Sequence, residues 1–327
     1  MKHIKTVLTL CLISISLNSF ATIRYVAVGG TGTGTSWADA SGDLQAIIDA
    51  SAANDQVWVK VGTYKPSRYP TGATTTGSYS ATTSQQYGFI LKNEVKLYGS
   101  FAGTETSLSQ RTAAVIAGNP SILSGDLNGN DVGFTNMGDN AYTVLFSVKD
   151  NSNTLLDGFT ISHGNASAAL STRLENSLLY GQHGGGLHLY SSDAIISNCI
   201  FVLNKAEGLG AAIYAEYSGF NTLDNCTFKN NAGSSGIFAF YQCNSIINDC
   251  IFSNNTSEYG GGIWLQATIL QANRSVFSEN NARIGSAAYI TVGSAPKFLD
   301  CLFLKNEATG TGTIYISSSS SEITNCT

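Results

Sequence analysis

The chain has 327 residues, of which 43% are hydrophobic and only 12% charged, with a formal net charge of −5. Patterned apolar content on this scale can bury a core, which excludes a disordered polyelectrolyte. The acidic balance argues against nucleic acid as a main partner.

The first residues follow a secretory pattern. Residues 1–5 are basic, residues 7–17 are apolar, and Ser19-Phe20-Ala21 is a small-x-small cleavage site. A signal peptide over 1–21 and a mature chain from Thr22 are expected, exported and either soluble or surface-attached. The apolar stretch is too short for a membrane anchor, and Leu10 before Cys11 departs from a lipoprotein signal. Residues 23–28 read as a strand. Residues 29–34 are a Gly/Thr loop without the Lys of a phosphate-binding loop.

Residues 41–53 place Leu44, Ile47 and Ile48 on one helical face, with Ser41 or Asp43 as cap. Such a helix covers the open end of a stacked β array, where apolar interior and strand edges would otherwise meet water. Residues 57–61, 89–91 and 95–98 read as the first strands, and 66–86 as a Thr/Ser/Gly/Tyr-rich surface insertion. Residues 99–140 are irregular. Residues 155–161 enter a regular array, and a second insertion spans 165–181.

From 158 to 327 one unit recurs. Phe201/Asn204, Phe228/Asn231, Phe252/Asn255, Phe277/Asn280 and Phe303/Asn306 repeat as Phe-x-x-Asn. Two residues before each Phe stand Cys199, Cys226, Cys250, Ser275 and Cys301, and Cys326 opens another copy. The steps along that series are 27, 24, 25, 26 and 25. A period this short, with local alternation of two, is too small for packed helix pairs and predicts a solenoid of short strands. Three strands per turn, stacked about 4.8 Å apart, would place like side chains in columns. The Asn column is expected at sharp turns, where Asn tolerates the left-handed region. The cysteines of one inward column point in parallel, which suits buried free thiols better than disulfides. Cys243 lies off that column. The array stops inside a copy at Thr327, and a missing sorting or anchoring domain is expected beyond it.

Phe-x-x-Asn alternates with a small-small-aliphatic step at Gly185-Gly186-Leu187, Ala211-Ala212-Ile213, Ser235-Gly236-Ile237, Gly261-Gly262-Ile263, Ala287-Ala288-Tyr289 and Gly312-Thr313-Ile314. This alternation resembles the repeat of chlamydial polymorphic outer-membrane proteins. The wider resemblance is to right-handed β-helix, or pectate-lyase-like, bacterial surface proteins. It implies an all-β, right-handed parallel β-helix solenoid with a short N-terminal capping helix. Its parts would be a signal peptide (1–21), a cap with irregular first coils (22–157) and regular repeats (158–327). The resemblance implies little about activity, because many activities sit on this scaffold.

Four constellations bear on function. The position after each inward aliphatic reads His188, Tyr214, Phe238, Trp264, Ile290 and Tyr315, an outward aromatic stripe suited to stacking on sugar rings. Adjacent aromatics also stabilise a sheet face without any ligand. The position before each Cys gives Asp249, Arg274 and Asp300 on successive coils. Carboxylates with a base fit β-elimination of acidic polysaccharide, and they equally fit a surface salt bridge. Asp126, Asn128, Asn130 and Asp131 alternate oxygen side chains like the start of a calcium loop, or of a plain Asn/Gly turn. His183 and His188 flank three glycines, and no third metal ligand is identifiable.

The expectation is an exported cell-surface or extracellular scaffold, adhesin-like or glycan-binding. Its partner would be an extracellular polysaccharide or a cell-surface glycan, with calcium as the only candidate cofactor. The alternatives are a polysaccharide lyase or hydrolase acting on acidic polysaccharide, with a cleft between the two insertions, and a passive stalk.

Overall fold

The computed structural model describes residues 21–76, 83–168 and 171–327. The expected signal peptide, apart from Ala21, lies outside the described residues, and so does Cys11. No helix among the described residues is long and apolar enough to cross a membrane.

The chain winds into a parallel β-helix. Four sheets run its length, with ten, eight, six and eight strands among the described residues. A regular coil visits them in order, as in Asn221–Asp224, Thr227–Lys229, Ala232–Ser235 and Phe238–Tyr241, before the next coil starts at Asn244–Asn248. We call these the first to fourth sheets. Every strand in them pairs in parallel with the equivalent strand of the adjoining coil, for example Phe201 with Phe228 and Phe228 with Phe252.

The third sheet was not expected from sequence. Its strands, such as Lys205–Leu209 and Thr256–Tyr259, turn only one small residue inward, Ala206 or Ser257, between exposed neighbours. A strand without a large apolar residue gives no hydrophobic alternation to detect.

The interior is a set of columns. On the second sheet Phe201, Phe228, Phe252, Phe277 and Phe303 stack face to face, with ring centroids 5.1, 4.6, 4.8 and 5.1 Å apart. On the first sheet Ile196, Leu223, Ile247, Ala272 and Phe298 are fully buried in register. Burying each large side chain contributes about 2–3 kcal/mol, so the columns carry the fold.

The corners turn on residues at positive φ, a single one at most of them and two, Val292 and Gly293, at one. Between the first and second sheets these are Asn198, Asn225, Asp249, Arg274, Asp300 and Asn325. Between the second and third they are Leu203, Asn230, Asn254, Glu279 and Lys305. Between the third and fourth only glycines serve, Gly184 through Gly312. A Cβ on Gly210 or Gly260 would meet the carbonyl oxygen of Ile213 or Ile263 at 2.3 and 2.4 Å, so no other residue fits.

After the corners between the second and third sheets the next residue points inward and forms a polar ladder. The repeated asparagines are these ladder residues and not the left-handed ones, which corrects the expected reason for their recurrence. Asn231 Nδ2 donates to the Phe201 carbonyl at 2.9 Å, and the Asn231 backbone N–H donates to Asn255 Oδ1 at 3.0 Å. Asn255 and Asn280 repeat both bonds, which satisfies corner groups that sheet pairing leaves over.

The cysteines do the same at the first corner. The Cys226 thiol donates to the Asp224 carbonyl at 3.4 Å, and the Cys226 N–H donates to Cys250 Sγ at 3.4 Å. The Cys250 N–H donates to Ser275 Oγ at 3.2 Å, so a hydroxyl replaces the thiol with no loss of function in the ladder. All six described cysteines are free. Cys243 also finds a place here. It belongs to a third ladder between the fourth and first sheets, where its N–H donates to Thr268 Oγ1 at 3.5 Å and the Thr268 N–H donates to Ser294 Oγ at 3.3 Å.

The N-terminal end is covered by the helix Leu44–Ala50, capped by Asp43, which accepts from the Ala46 N–H at 2.9 Å. Leu44, Ile47 and Ile48 join the core. Gln45 closes the edge of the fourth sheet. Its Oε1 accepts from the Ile90 N–H at 2.9 Å and its Nε2 donates to the Ile90 carbonyl at 3.2 Å, as a further strand would.

The two insertions meet. Ser171–Leu174 pairs antiparallel with both Ser177–Tyr180 and Thr74–Thr76, forming a small sheet. Leu174 and Leu179 pack on Ile90, Phe146 and Val148 of the fourth sheet. The insertions therefore cover that face; a cleft flanked by them would have favoured the enzyme reading. The crevice left there is about 10 Å³, the size of one water.

Candidate functional site: the outer face of the fourth sheet

Strand alternation sends every second residue of the fourth sheet outward. The register sets the outward row as His188, Tyr214, Trp264, Tyr289 and Tyr315. Two coils differ from the sequence reading. Phe238 pairs with Ile213 and Ile263 and is fully buried in the core, so it is not a surface contact. Ile290 pairs with Leu265 and is buried too. The reason is local. Ile237 fills the column that holds Gly262 in the next coil, and Ala288 fills the aliphatic one, so the motif shifts by one residue at each place.

The row is outward but largely covered. His188 is 0% exposed, Tyr214 4% and Trp264 9%. Tyr214 and Trp264 pack with Leu209, Tyr241, Tyr259 and Tyr289, filling the angle between the third and fourth sheets. Beneath them lies a buried polar group. His188 Nε2 is 3.0 Å from Glu216 Oε1, and the Tyr214 hydroxyl donates to Glu216 Oε2 at 3.5 Å. Burial, followed by Glu216, holds the Tyr214 hydroxyl well above its usual pKa. His183 lies against the Tyr214 ring, 4.8 Å between centroids, and its Nδ1 accepts from the Leu209 N–H at 2.6 Å. Burial and then His188 push the His183 pKa down to about 4. Each imidazole thus has a protein partner. No three His, Cys, Asp or Glu side chains gather as a metal ligand set among the described residues.

The exposed rings stand at the ends of the same strands. Tyr217 is 46% exposed and lies edge-to-face with Tyr190 and with Tyr241, 5.6 Å from each. Phe220 beside them is 64% exposed. Tyr217 occupies the positive-φ corner, where Ser191, Gln242 and Ala267 stand in neighbouring coils. Tyr289 and Tyr315 continue the surface as a parallel stack at 5.1 Å. Sequence reading missed Tyr190, Tyr217 and Tyr241. They could have been found from their places just before Ser192, Ser218 and Cys243, the residues of the third ladder.

Asp249 and Arg274 do meet, on the far side of the coil. Arg274 Nε and Nη2 donate to the two oxygens of Asp249 at 2.8 and 2.7 Å, with both side chains more than half exposed. The bond to Asp249 raises the Arg274 pKa further and lowers that of Asp249. Asp300 accepts from Asn325 and stands outside the pair. All three occupy the left-handed corner, which accounts for Asp at two of these places.

In the 126–131 loop, Asp126 is occupied by its own backbone. Its Oδ1 accepts from the Gly129 and Asn130 N–H groups at 2.6 and 3.2 Å, and its Oδ2 accepts from the Asp131 N–H at 3.3 Å. Asn128 and Asn130 are exposed. Asp131 turns toward Asn140, whose Nδ2 donates to it at 2.7 Å.

A family model described as a right handed beta helix region matches residues 110–235 and 157–327. No curated protein sequence matches the chain. Two solved structures are similar overall. One is a pectate lyase, Pel9A, at 10% identity and a TM-score of 0.44, with 94% of this chain and 79% of that chain covered. The other is a rhamnogalacturonan lyase at 14% identity and a TM-score of 0.36, covering 94% and 88%. Likeness at this level carries no argument about activity.

Proposed function

This chain belongs to the right-handed β-helix family, and from that premise we propose an exported scaffold that contacts glycans through the exposed tyrosines of its fourth sheet. One observation carries the reading: Tyr190, Tyr217 and Tyr241 form a continuous edge-to-face run at the surface, with Tyr217 nearly half exposed. Aromatic faces bind sugar rings through their apolar sides, and a low-charge rim suits neutral or weakly acidic polysaccharide. The secretory pattern of residues 1–21 supplies the location, outside the cell or on its surface.

The lyase reading needs a base that stands without its own proton, so that it can take one from the sugar. Arg274, its candidate, is clamped by Asp249 and holds its proton more tightly for it. Binding is therefore the reading favoured here.

The test is binding to a panel of neutral and uronic-acid polysaccharides, with the Tyr217→Ala/Tyr241→Ala double variant alongside. At least a tenfold loss of affinity is expected with the variant still folded at the assay temperature, its melting temperature somewhat lowered because Tyr241 packs on Tyr214 and Trp264. Undiminished binding in the variant, or none in either protein, defeats the proposal. Incubation with uronic-acid polymers, with and without calcium, reads unsaturated products by absorbance, and their appearance would establish the lyase instead.

A further inference from the structure

Where the coil from Ser121–Ser124 to Leu145–Val148 lacks a third-sheet strand, the chain makes a loop whose base lies under Asn165–Ala166, the first strand of that sheet. Four side-chain oxygens there are buried without a hydrogen-bond donor: Asp131 Oδ1, Asp139 Oδ2, Asn140 Oδ1 and Asn165 Oδ1. Asn140 is fully buried and Asn165 is 8% exposed. Buried acceptors with no donor are rare in folded proteins.

Hydrogen bonds fix three of the four residues, and Asp139, the neighbour of Asn140, lies near enough for its charge to act on Asp131. Asn140 Nδ2 donates to Asp131 Oδ2 at 2.7 Å and to the His163 carbonyl at 2.8 Å. Asn165 Nδ2 donates to the Met137 carbonyl at 2.9 Å, and the Asn165 N–H donates to the Ala141 carbonyl at 2.9 Å. Both amides thus spend their nitrogens on fixed acceptors and keep an oxygen unused. Asp131 feels the negative charge of Asp139 and of Asp126 behind it. The near lysine, Lys65, is bound to the Leu127 carbonyl at 3.3 Å. His163 supplies one further unpartnered atom, Nδ1.

We propose that Asp131, Asp139, Asn140 and Asn165 form a calcium site that fastens the loop base to the first strand of the third sheet. Two carboxylates and two amide carbonyls make an all-oxygen, doubly negative donor set, the kind a hard divalent cation takes, with water completing the shell. Only two charges face the ion, so affinity belongs to the extracellular range, with Kd about 10⁻⁴–10⁻³ M. The site lies at the foot of the 126–131 loop, not within it: of the loop's oxygen side chains only Asp131 takes part. It is independent of the glycan reading, and either can fail alone.

The experiment uses the full chain, stripped with chelator and titrated with calcium chloride by calorimetry, with melting temperature as a second readout. Wild type binds one calcium in that range and melts higher with calcium but not with magnesium at equal ionic strength. Asp139→Asn binds at least tenfold more weakly. Without metal it melts at or above the wild type, because repulsion of Asp131 is relieved. Asn128→Ala, at the exposed loop tip, binds as wild type does. Absence of saturable heat and of a thermal shift overturns the site. So does unweakened binding by Asp139→Asn, an equal response to magnesium, or a calcium-soaked crystal with only water among these oxygens. Should Asp139→Asn not fold, the wild-type titration still decides.

Discussion

At the scale of single residues, this molecule is governed by its corners. Outside the glycine corners between the third and fourth sheets, a corner needs one left-handed residue and one inward polar residue after it, and the two requirements differ in strength. The inward residue has no substitute in water. Asn255 donates to the Phe228 carbonyl and to Asn280 Oδ1, both at 2.9 Å, and accepts the Asn231 N–H at 3.0 Å. Asn255→Ala strands these groups in the core and is expected to cost about 2–3 kcal/mol, read as a lowered denaturation midpoint. The left-handed residue is chosen more loosely, and one choice is poor. Val292 has φ 30° and is 59% exposed, so a β-branched side chain bears a backbone it disfavours while burying little. Val292→Asn is expected to stabilise by about 1 kcal/mol, seen as a raised midpoint; a fall would show that Val292 contributes contacts that outweigh the strain.

At the scale of elements, legibility followed chemistry. The Phe and Cys columns could be read because their side chains are large or rare and recur at one spacing. The third sheet could not, since Ala206, Gly233 and Ser257 are its inward residues and none is a hydrophobic signal. The aromatic row slipped at Phe238 and Tyr289 because apolar residues on both sides of the step hide which one faces in. The calcium-loop reading took in Asp131 but not Asp139, Asn140 or Asn165, whose grouping with it in the site proposed above depends on the winding of the coil. The capping helix was visible as a face of Leu44, Ile47 and Ile48, yet its most specific act belongs to a polar residue. Gln45 mimics a strand for Ile90. Gln45→Ala leaves the Ile90 N–H and carbonyl buried and unmatched and is expected to cost about 2 kcal/mol. Hydrogen exchange at the Ile90 amide should accelerate while the Phe252 coil is unchanged, because solenoid coils couple mainly to their neighbours. Equal acceleration along the whole chain would contradict that locality.

At the scale of the whole molecule, two buried titrating groups at opposite corners of the fourth sheet set how stability depends on acidity. Asp150 is buried, and desolvation raises its pKa from 3.8 to about 6 despite the Ser147 hydroxyl bond at 2.5 Å. Its folded form holds a proton that the unfolded chain has lost, so it favours folding below pH 3.8, and that contribution falls away as pH rises to 6. His183 works in the other direction. Its pKa is depressed from 6.5 to about 4, the unfolded chain binds the extra proton, and stability rises with pH between 4 and 6.5. Each contribution amounts to about 3 kcal/mol over its full range. Between pH 4 and 6 these two slopes oppose and largely cancel each other. Asp150→Asn removes one slope, and its stability relative to wild type should climb across that window. His183→Asn, which keeps an acceptor for the Leu209 N–H, should make it decline. Urea unfolding of the three proteins at half-unit pH intervals reads both trends, and variants that run parallel to wild type would refute the balance between these two groups.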